Sequence, residues 1–140
     1  MKLVQLIYVS DLVDNDESVL ASILESAVRR NQQNGITGML LYGDGNFIQV
    51  LEGDEAAVDE TYGRIRADLR HRNLSILLQG PIPERQFSDW SMGYKRLRAE
   101  DLQNFPQYAP YFRYGFGTKA LQAAPGEALE MLKSFSRRMF

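Results

Sequence analysis

Apolar and polar positions alternate along the start of the chain. Val4, Leu6 and Tyr8 fall on one side of an extended backbone and Leu3 and Ile7 on the other, so Met1–Ser10 predicts a strand covered on both faces. Beyond it the period changes. Val19, Leu20, Ile23, Leu24, Ala27, Val28 and Asn31 recur at helical spacing, which predicts a helix from about Asp16 to about Gln32. Asp14 and Glu17 read as its capping box, and Asn34-Gly35 as its end. Ile36–Tyr42 and Phe47–Leu51, joined by Gly43-Asp44-Gly45-Asn46, predict a hairpin. Gly53-Asp54 closes it and caps a second helix, with Val58, Tyr62, Ile65 and Leu69 at helical spacing. Leu74–Leu78 predicts a strand stopped by Pro81 and Pro83, and Ser91–Leu97 a last one.

The resulting order, β-α-β-β-α-β-β, predicts an α+β sandwich of ferredoxin-like type: two helices on one face of a largely antiparallel sheet. The opposite face, with Leu3, Ile7, Ile48 and Val50, also needs a cover. The tail predicts a short helix over Ala99–Phe105, an aromatic connector over Tyr108–Phe116 and a longer helix over Thr118–Met139. Either these C-terminal helices or a second subunit covers that face. Residues 1–98 thus read as one compact domain and 99–140 as a helical extension suited to output or oligomerisation.

Composition narrows the chemistry. The chain has 140 residues, 44% of them hydrophobic and 24% charged, with a net charge of −2. That balance excludes compositional disorder and a nucleic-acid binder working by bulk positive charge. No apolar run approaches the ~18 residues of a membrane span, and no signal-like segment opens the chain, so the expectation is a cytoplasmic protein without membrane contact. The chain has no cysteine and one histidine, His71, which removes thiolate chemistry and multi-histidine metal sites. What remains is hydrogen bonding, aromatic rings, or a borrowed cofactor.

The informative residues are polar groups where packing favours hydrocarbon. Gln49 stands mid-strand on the face of Phe47 and Leu51, and an unpaired buried amide costs about 1–3 kcal/mol, so something must bond it: a water, a backbone carbonyl or a side chain. Tyr8 faces the same way as Leu6 and offers a hydroxyl on an apolar ring, though core tyrosines are common. Ile23, Ala27, Arg30 and Asn31 fall on one face of the first helix, apolar for two turns and then polar. Ile65 on the second helix is followed by Asp68, Arg70 and His71. Side by side, the helices would frame a slot with greasy walls and a hydrogen-bonding floor, suited to a flat heteroaromatic ring. The charged groups read equally as a solvated helix-end cluster. Trp90 and Met92 point to one face of their strand, which is also ordinary core material.

Together these residues resemble the BLUF family of flavin-binding blue-light sensors. The resemblance covers about the first hundred residues. It rests on Leu6-Ile-Tyr-Val-Ser10, on Asn31 with Gly35-Ile-Thr-Gly-Met-Leu-Leu-Tyr42, and on Phe47-Ile-Gln-Val-Leu-Glu-Gly53. Asp68-Leu-Arg-His71 and Phe87-Ser-Asp-Trp-Ser-Met92 complete the set, in the family's order. The resemblance implies FAD, with FMN possible, held between the two helices. It implies Tyr8 as electron and proton donor and Gln49 as the link from that phenol to flavin N5 and O4. Asn31 would hold the C4 carbonyl region, and Arg30 the ring's carbonyl side or a phosphate. Asp68, Arg70 and His71 would lie near the ring's polar edge, Met92 and Trp90 near the glutamine, and Ile23, Ala27 and Ile65 along the walls.

The implied mechanism is light-driven electron and proton transfer from Tyr8 through Gln49, recombination, and a rearranged amide. A carboxamide suits this because its two ends share a shape but differ in hydrogen-bonding character. The extension of ~40 residues is too short for a catalytic domain, so the expected output is a separate effector or regulator protein, with a homo-oligomer as the expected state and no enzymatic activity. A small flavin oxidoreductase is the alternative, but no G-x-G-x-x-G follows a strand here. A ferredoxin-like interaction module without flavin is another, opposed by the intact Tyr8, Asn31 and Gln49.

Overall fold

The computed structural model describes residues 2–13, 17–43, 45–88, 93–104, 106 and 125–136. Along them run β1 (Leu3–Leu12), a 3-10 turn (Glu17–Val19) leading into α1 (Leu20–Asn34), β2 (Thr37–Gly43) and β3 (Asn46–Asp54). Then come α2 (Glu55–Ala67), β4 (His71–Pro81), β5 (Gly93–Arg96), α3 (Ala99–Asn104) and α4 (Pro125–Ser136). The strands form one sheet in the order β4-β1-β3-β2-β5. Neighbours are antiparallel except β2 and β5, which run parallel. This is the ferredoxin-like α+β arrangement predicted above.

Strand alternation divides the core in two. Val4, Leu6, Tyr8, Leu40, Phe47 and Leu51 face α1 and α2, where they meet Leu20, Ile23 and Val58. Ile7, Val9, Met39, Leu41, Ile48 and Val50 face the other way and pack with Ala128, Met131, Leu132 and Phe135 of α4. The i, i+3, i+4, i+7 spacing of those α4 residues is that of an apolar stripe on a helix, so the tail itself covers the second face. Among the described residues, no helix is long and apolar enough to cross a membrane.

Two glycines set the entry to the hairpin. Gly35 ends α1 at φ 69°, a left-handed turn, and directs its own N–H and that of Ile36 (3.0 Å) onto the Asn31 carbonyl. Gly38 lies so close to β3 that a Cβ there would stand 1.9 Å from the Val50 carbonyl oxygen.

Several boundaries differ from the sequence expectations. Leu69 lies beyond α2 and is 89% exposed: α2 stops at Ala67, and Asp68 turns extended to hold Arg70. The predicted capping box does not close α1. Asp14 lies outside the described residues, and Val19 occupies the N-cap position without a side-chain bond. The Glu17 carboxylate instead accepts from Tyr42 Oη at 2.9 Å and from Arg96. Asp54 sits at the α2 N-cap, but its carboxylate accepts from the Lys2 N–H (3.3 Å) rather than capping the helix. β4 begins three residues earlier than predicted, because pairing with β1 extends to Leu12–His71. Residues 91–92 of the predicted last strand, Phe105, and 118–124 and 137–139 of the predicted long helix lie outside the described residues, as does the aromatic connector.

Docking of α4 predicts its own test. Phe135 is fully buried, so Phe135→Ala should lower the unfolding free energy by about 3–5 kcal/mol. Leu69→Ala, at an exposed position, should stay within about 0.5 kcal/mol of wild type. Urea denaturation of both variants checks this; a neutral Phe135→Ala would mean that α4 does not seat on the sheet in solution.

Candidate functional site

Register makes the centre of the site. In the β1–β3 ladder Tyr8 lies directly opposite Gln49, and both side chains point toward the helices. The Tyr8 hydroxyl donates to Gln49 Oε1. Both residues are almost completely buried, at 1% and 4% exposure, so each spares the other the cost of an unpaired polar group. Burial, chiefly, and then the Tyr62 phenol and the Asp68 carboxylate push the Tyr8 pKa far above the ordinary tyrosine value. At neutral pH Tyr8 is therefore a protonated donor. The Tyr62 ring packs edge-on against it, centroids 5.5 Å apart.

Above this pair the two helices stand apart and leave a cleft enclosing about 600 Å³, its open mouth included. Tyr8, Leu40, Gln49 and Leu51 form its floor. On α1, Ile23, Ser26, Ala27, Arg30 and Asn31 line one wall; on α2, Thr61, Arg64 and Ile65 line the other. Asp68, Arg70 and His71 line its remaining side. Ten predicted site residues thus share one cleft: Tyr8, Ile23, Ala27, Arg30, Asn31, Gln49, Ile65, Asp68, Arg70 and His71. Met92 and Trp90 lie outside the described residues. The positions missed were Ser26, Leu40, Leu51, Thr61 and Arg64. Helical spacing contained two of them, since Ser26 follows Ile23 by three and Thr61 precedes Ile65 by four. Leu40 needed the ladder, in which it pairs with Gln49.

The polar end is braced. Asp68 takes Arg70 in a fork, Oδ1 accepting from Nε at 2.9 Å and Oδ2 from Nη2 at 2.7 Å. That hydrogen bonding holds the Asp68 carboxyl below its usual range and the Arg70 guanidinium above its own. Arg70 Nη1 also donates to Ser22 Oγ at 3.1 Å, joining the turn after α2 to the first part of α1. His71 is buried, with Nδ1 3.1 Å from Ser10 Oγ and its ring 4.8 Å from that of Phe47. Burial lowers its pKa; the nearby Asp68 carboxylate opposes the shift and Arg70 adds to it. A lining that mixes apolar side chains (Ile23, Ala27, Leu40, Leu51 and Ile65) with hydrogen-bonding groups fits a flat heteroaromatic ligand such as an isoalloxazine, whose faces are apolar and whose edges carry donors and acceptors.

Comparison with known proteins shows what the chain is similar to. The profile of one family, described as BLUF, sensors of blue-light using FAD, matches residues 3–93. The beta subunit of the photoactivated adenylate cyclase of Euglena gracilis is 43% identical over 88 residues, 62% of this chain and 10% of that protein. The blue light- and temperature-regulated antirepressor BluF of Escherichia coli (strain K12) is 35% identical over 127 residues, 86% of this chain and 31% of that protein. The structure of BlsA in its photo-activated state superposes with a TM-score of 0.77 at 29% identity, covering 94% of each chain. The chain spans about a tenth of the length of the first curated relatives it matches.

His71 carries a pH prediction. Its folded pKa lies below the ordinary 6.5, so between that lowered value and 6.5 the unfolded chain binds more protons than the folded one. The stability at stake is fully present above pH 6.5 and is lost as pH falls through this window. Asp68, held low by Arg70, titrates beneath it. Denaturation midpoints at about pH 7.5 and about pH 5.5 should therefore drop for wild type and drop less for His71→Gln. Equal drops would remove His71 as the cause.

Proposed function

Because the chain belongs to the BLUF family, the sensors of blue-light using FAD, we propose that its cleft holds a flavin and that Tyr8 and Gln49 convert absorbed light into a new hydrogen-bond pattern. The observation that carries this reading is the buried Tyr8–Gln49 pair on the floor of a cleft between two helices. When bound, the flavin supplies absorption of blue light and, once excited, an electron acceptor. Ile23, Ala27 and Ile65 on the walls and Leu40 and Leu51 on the floor would hold its apolar ring. Asn31, anchored where Gly35 and Ile36 bind its carbonyl, presents its amide to the ring's C4 side, and Arg30 serves the carbonyl edge or a phosphate. Asp68, Arg70 and His71 would border the ring's polar edge; the roles implied by the resemblance for Met92 and Trp90 fall outside the described residues.

A bound flavin would supply the acceptor for an electron and a proton; Tyr8 would hold and release that proton at its hydroxyl, and Gln49, which accepts from it, would relay the proton. On recombination Tyr8 would take back both. Burial keeps the phenol protonated in the dark, so the proton is on the Tyr8 oxygen when light arrives. The lasting product is a Gln49 carboxamide with its donor and acceptor ends rearranged. Such an exchange changes little volume but obliges the neighbouring groups to re-pair. The signal then passes to a separate effector or regulator protein, in the cytoplasm, from a homo-oligomer whose sensor is residues 1–98 and whose output segment is 99–140. Two relatives support a signalling role by their descriptions: one is a subunit of a light-activated cyclase and one a light-regulated antirepressor. For this chain we propose sensing without catalysis, with FAD as the resident flavin.

Purified protein should be yellow, release FAD rather than FMN on denaturation and chromatography, and show a reversible red shift of its absorption under blue light. Tyr8→Phe should keep the colour and lose the shift; a normal shift would strip Tyr8 of the donor role. Gln49→Leu should also stay yellow without cycling. Bleaching of wild type in light would indicate a flavin reductase, and a colourless preparation an interaction module.

A further inference from the structure

Among the described residues outside the cleft, one charged group is completely enclosed. Glu52 is 0% exposed. It follows Gln49 by three positions on β3, so strand alternation turns it to the α4 side of the sheet. Its Oε2 accepts from Gln5 Nε2 at 2.8 Å, its Oε1 from the Phe87 N–H at 2.8 Å, and the Gln86 N–H is shared between both oxygens at 2.9 and 3.0 Å. Arg85 adds a second grip. Its Nη1 donates to Thr37 Oγ1 (2.8 Å) and to the Glu52 backbone oxygen (3.0 Å), and its Nη2 to the Gly35 oxygen (2.9 Å).

The three residues held in this way, Arg85 to Phe87, follow β4 and precede Trp90 and Met92 in sequence. Phe87 is also part of the core that α4 completes. Enclosing a carboxylate is expensive, and a hydrocarbon of similar size would fill the same volume without that expense. Glu52 is therefore explained by position rather than by stability.

We infer that Glu52 is a positioning residue that clasps segment 85–87 to the strand bearing Gln49, so that rearrangement at Gln49 moves this segment, and through Phe87 the α4 layer, instead of dying out in β3. The inference rests on the proposed photochemistry of Gln49. It gives that switch a mechanical exit on the opposite side of the sheet from the cleft.

Amide hydrogen exchange on the full chain, in darkness and under blue light, tests it. Wild type should show light-dependent exchange at Gln86, Phe87 and across 125–136. Glu52→Gln keeps the shape but sets a donor among converging N–H groups. It should retain the flavin and its red shift, exchange Gln86 and Phe87 roughly tenfold or more faster in the dark, and lose the light-dependent difference across 125–136. Arg85→Ala removes only the partly exposed second grip and should reduce that difference, so it carries the test should Glu52→Gln fold poorly. An undiminished difference in a folded, photocycling variant overturns the inference, as does a wild type that shifts colour with no exchange change at 85–87. Loss of the red shift in flavin-bound Glu52→Gln also overturns it, by placing Glu52 in the photochemistry. A wild type with no red shift sinks the photoreceptor reading itself and is seen before any variant is compared.

Discussion

A phenol and a carboxamide, set opposite each other near the middle of a covered sheet, constrain everything around them. Tyr8 and Gln49 are almost completely buried, and an orphaned polar group in that position would cost a sizeable share of a small domain's stability. They satisfy one another because the β1–β3 register brings them level. A slip of one residue in either strand would turn its member of the pair to the opposite face, so the register is bound up with the chemistry. The cleft lies above this pair, and apolar and polar residues of α1 and α2 wall it in.

The sheet is loaded from both sides, and its polar devices are sorted between them. On the helix side, Asp68, Arg70 and Ser22 brace the end of the cleft. Glu17 ties the approach to α1 to β2 and β5, accepting from Tyr42 while Arg96 stands 5.9 Å over the Tyr42 ring. On the far side, Glu52 and Arg85 secure the segment that leaves β4, next to the apolar layer of α4.

Much of this was legible in the order of residues. Period-2 and period-3.6 patterns separated strands from helices, and Gly35 and the Gly43–Asn46 turn marked breaks that the backbone respects. The misread positions share a cause. Leu69 fits the helical repeat of α2, but Asp68 leaves the helix to pair with Arg70, and periodicity has no knowledge of that bond. Glu17 fits a capping motif, but Tyr42 and Arg96, distant in sequence, claim its carboxylate. Arg64 lines the cleft although an arginine on a surface helix looks unremarkable in one dimension.

By itself, then, the chain's sequence determined which segments extend and which coil, which faces are apolar, and which polar residues are out of place in a core, since backbone sterics and side-chain polarity act locally. Only the tertiary structure decided that Gln49 bonds Tyr8, that the chain's own α4 closes the second face, and that Glu52 reaches the backbone of Gln86 and Phe87. Those outcomes depend on strand register and on contacts between residues dozens of positions apart. Both are set by the simultaneous packing of the whole sheet, which no local pattern encodes.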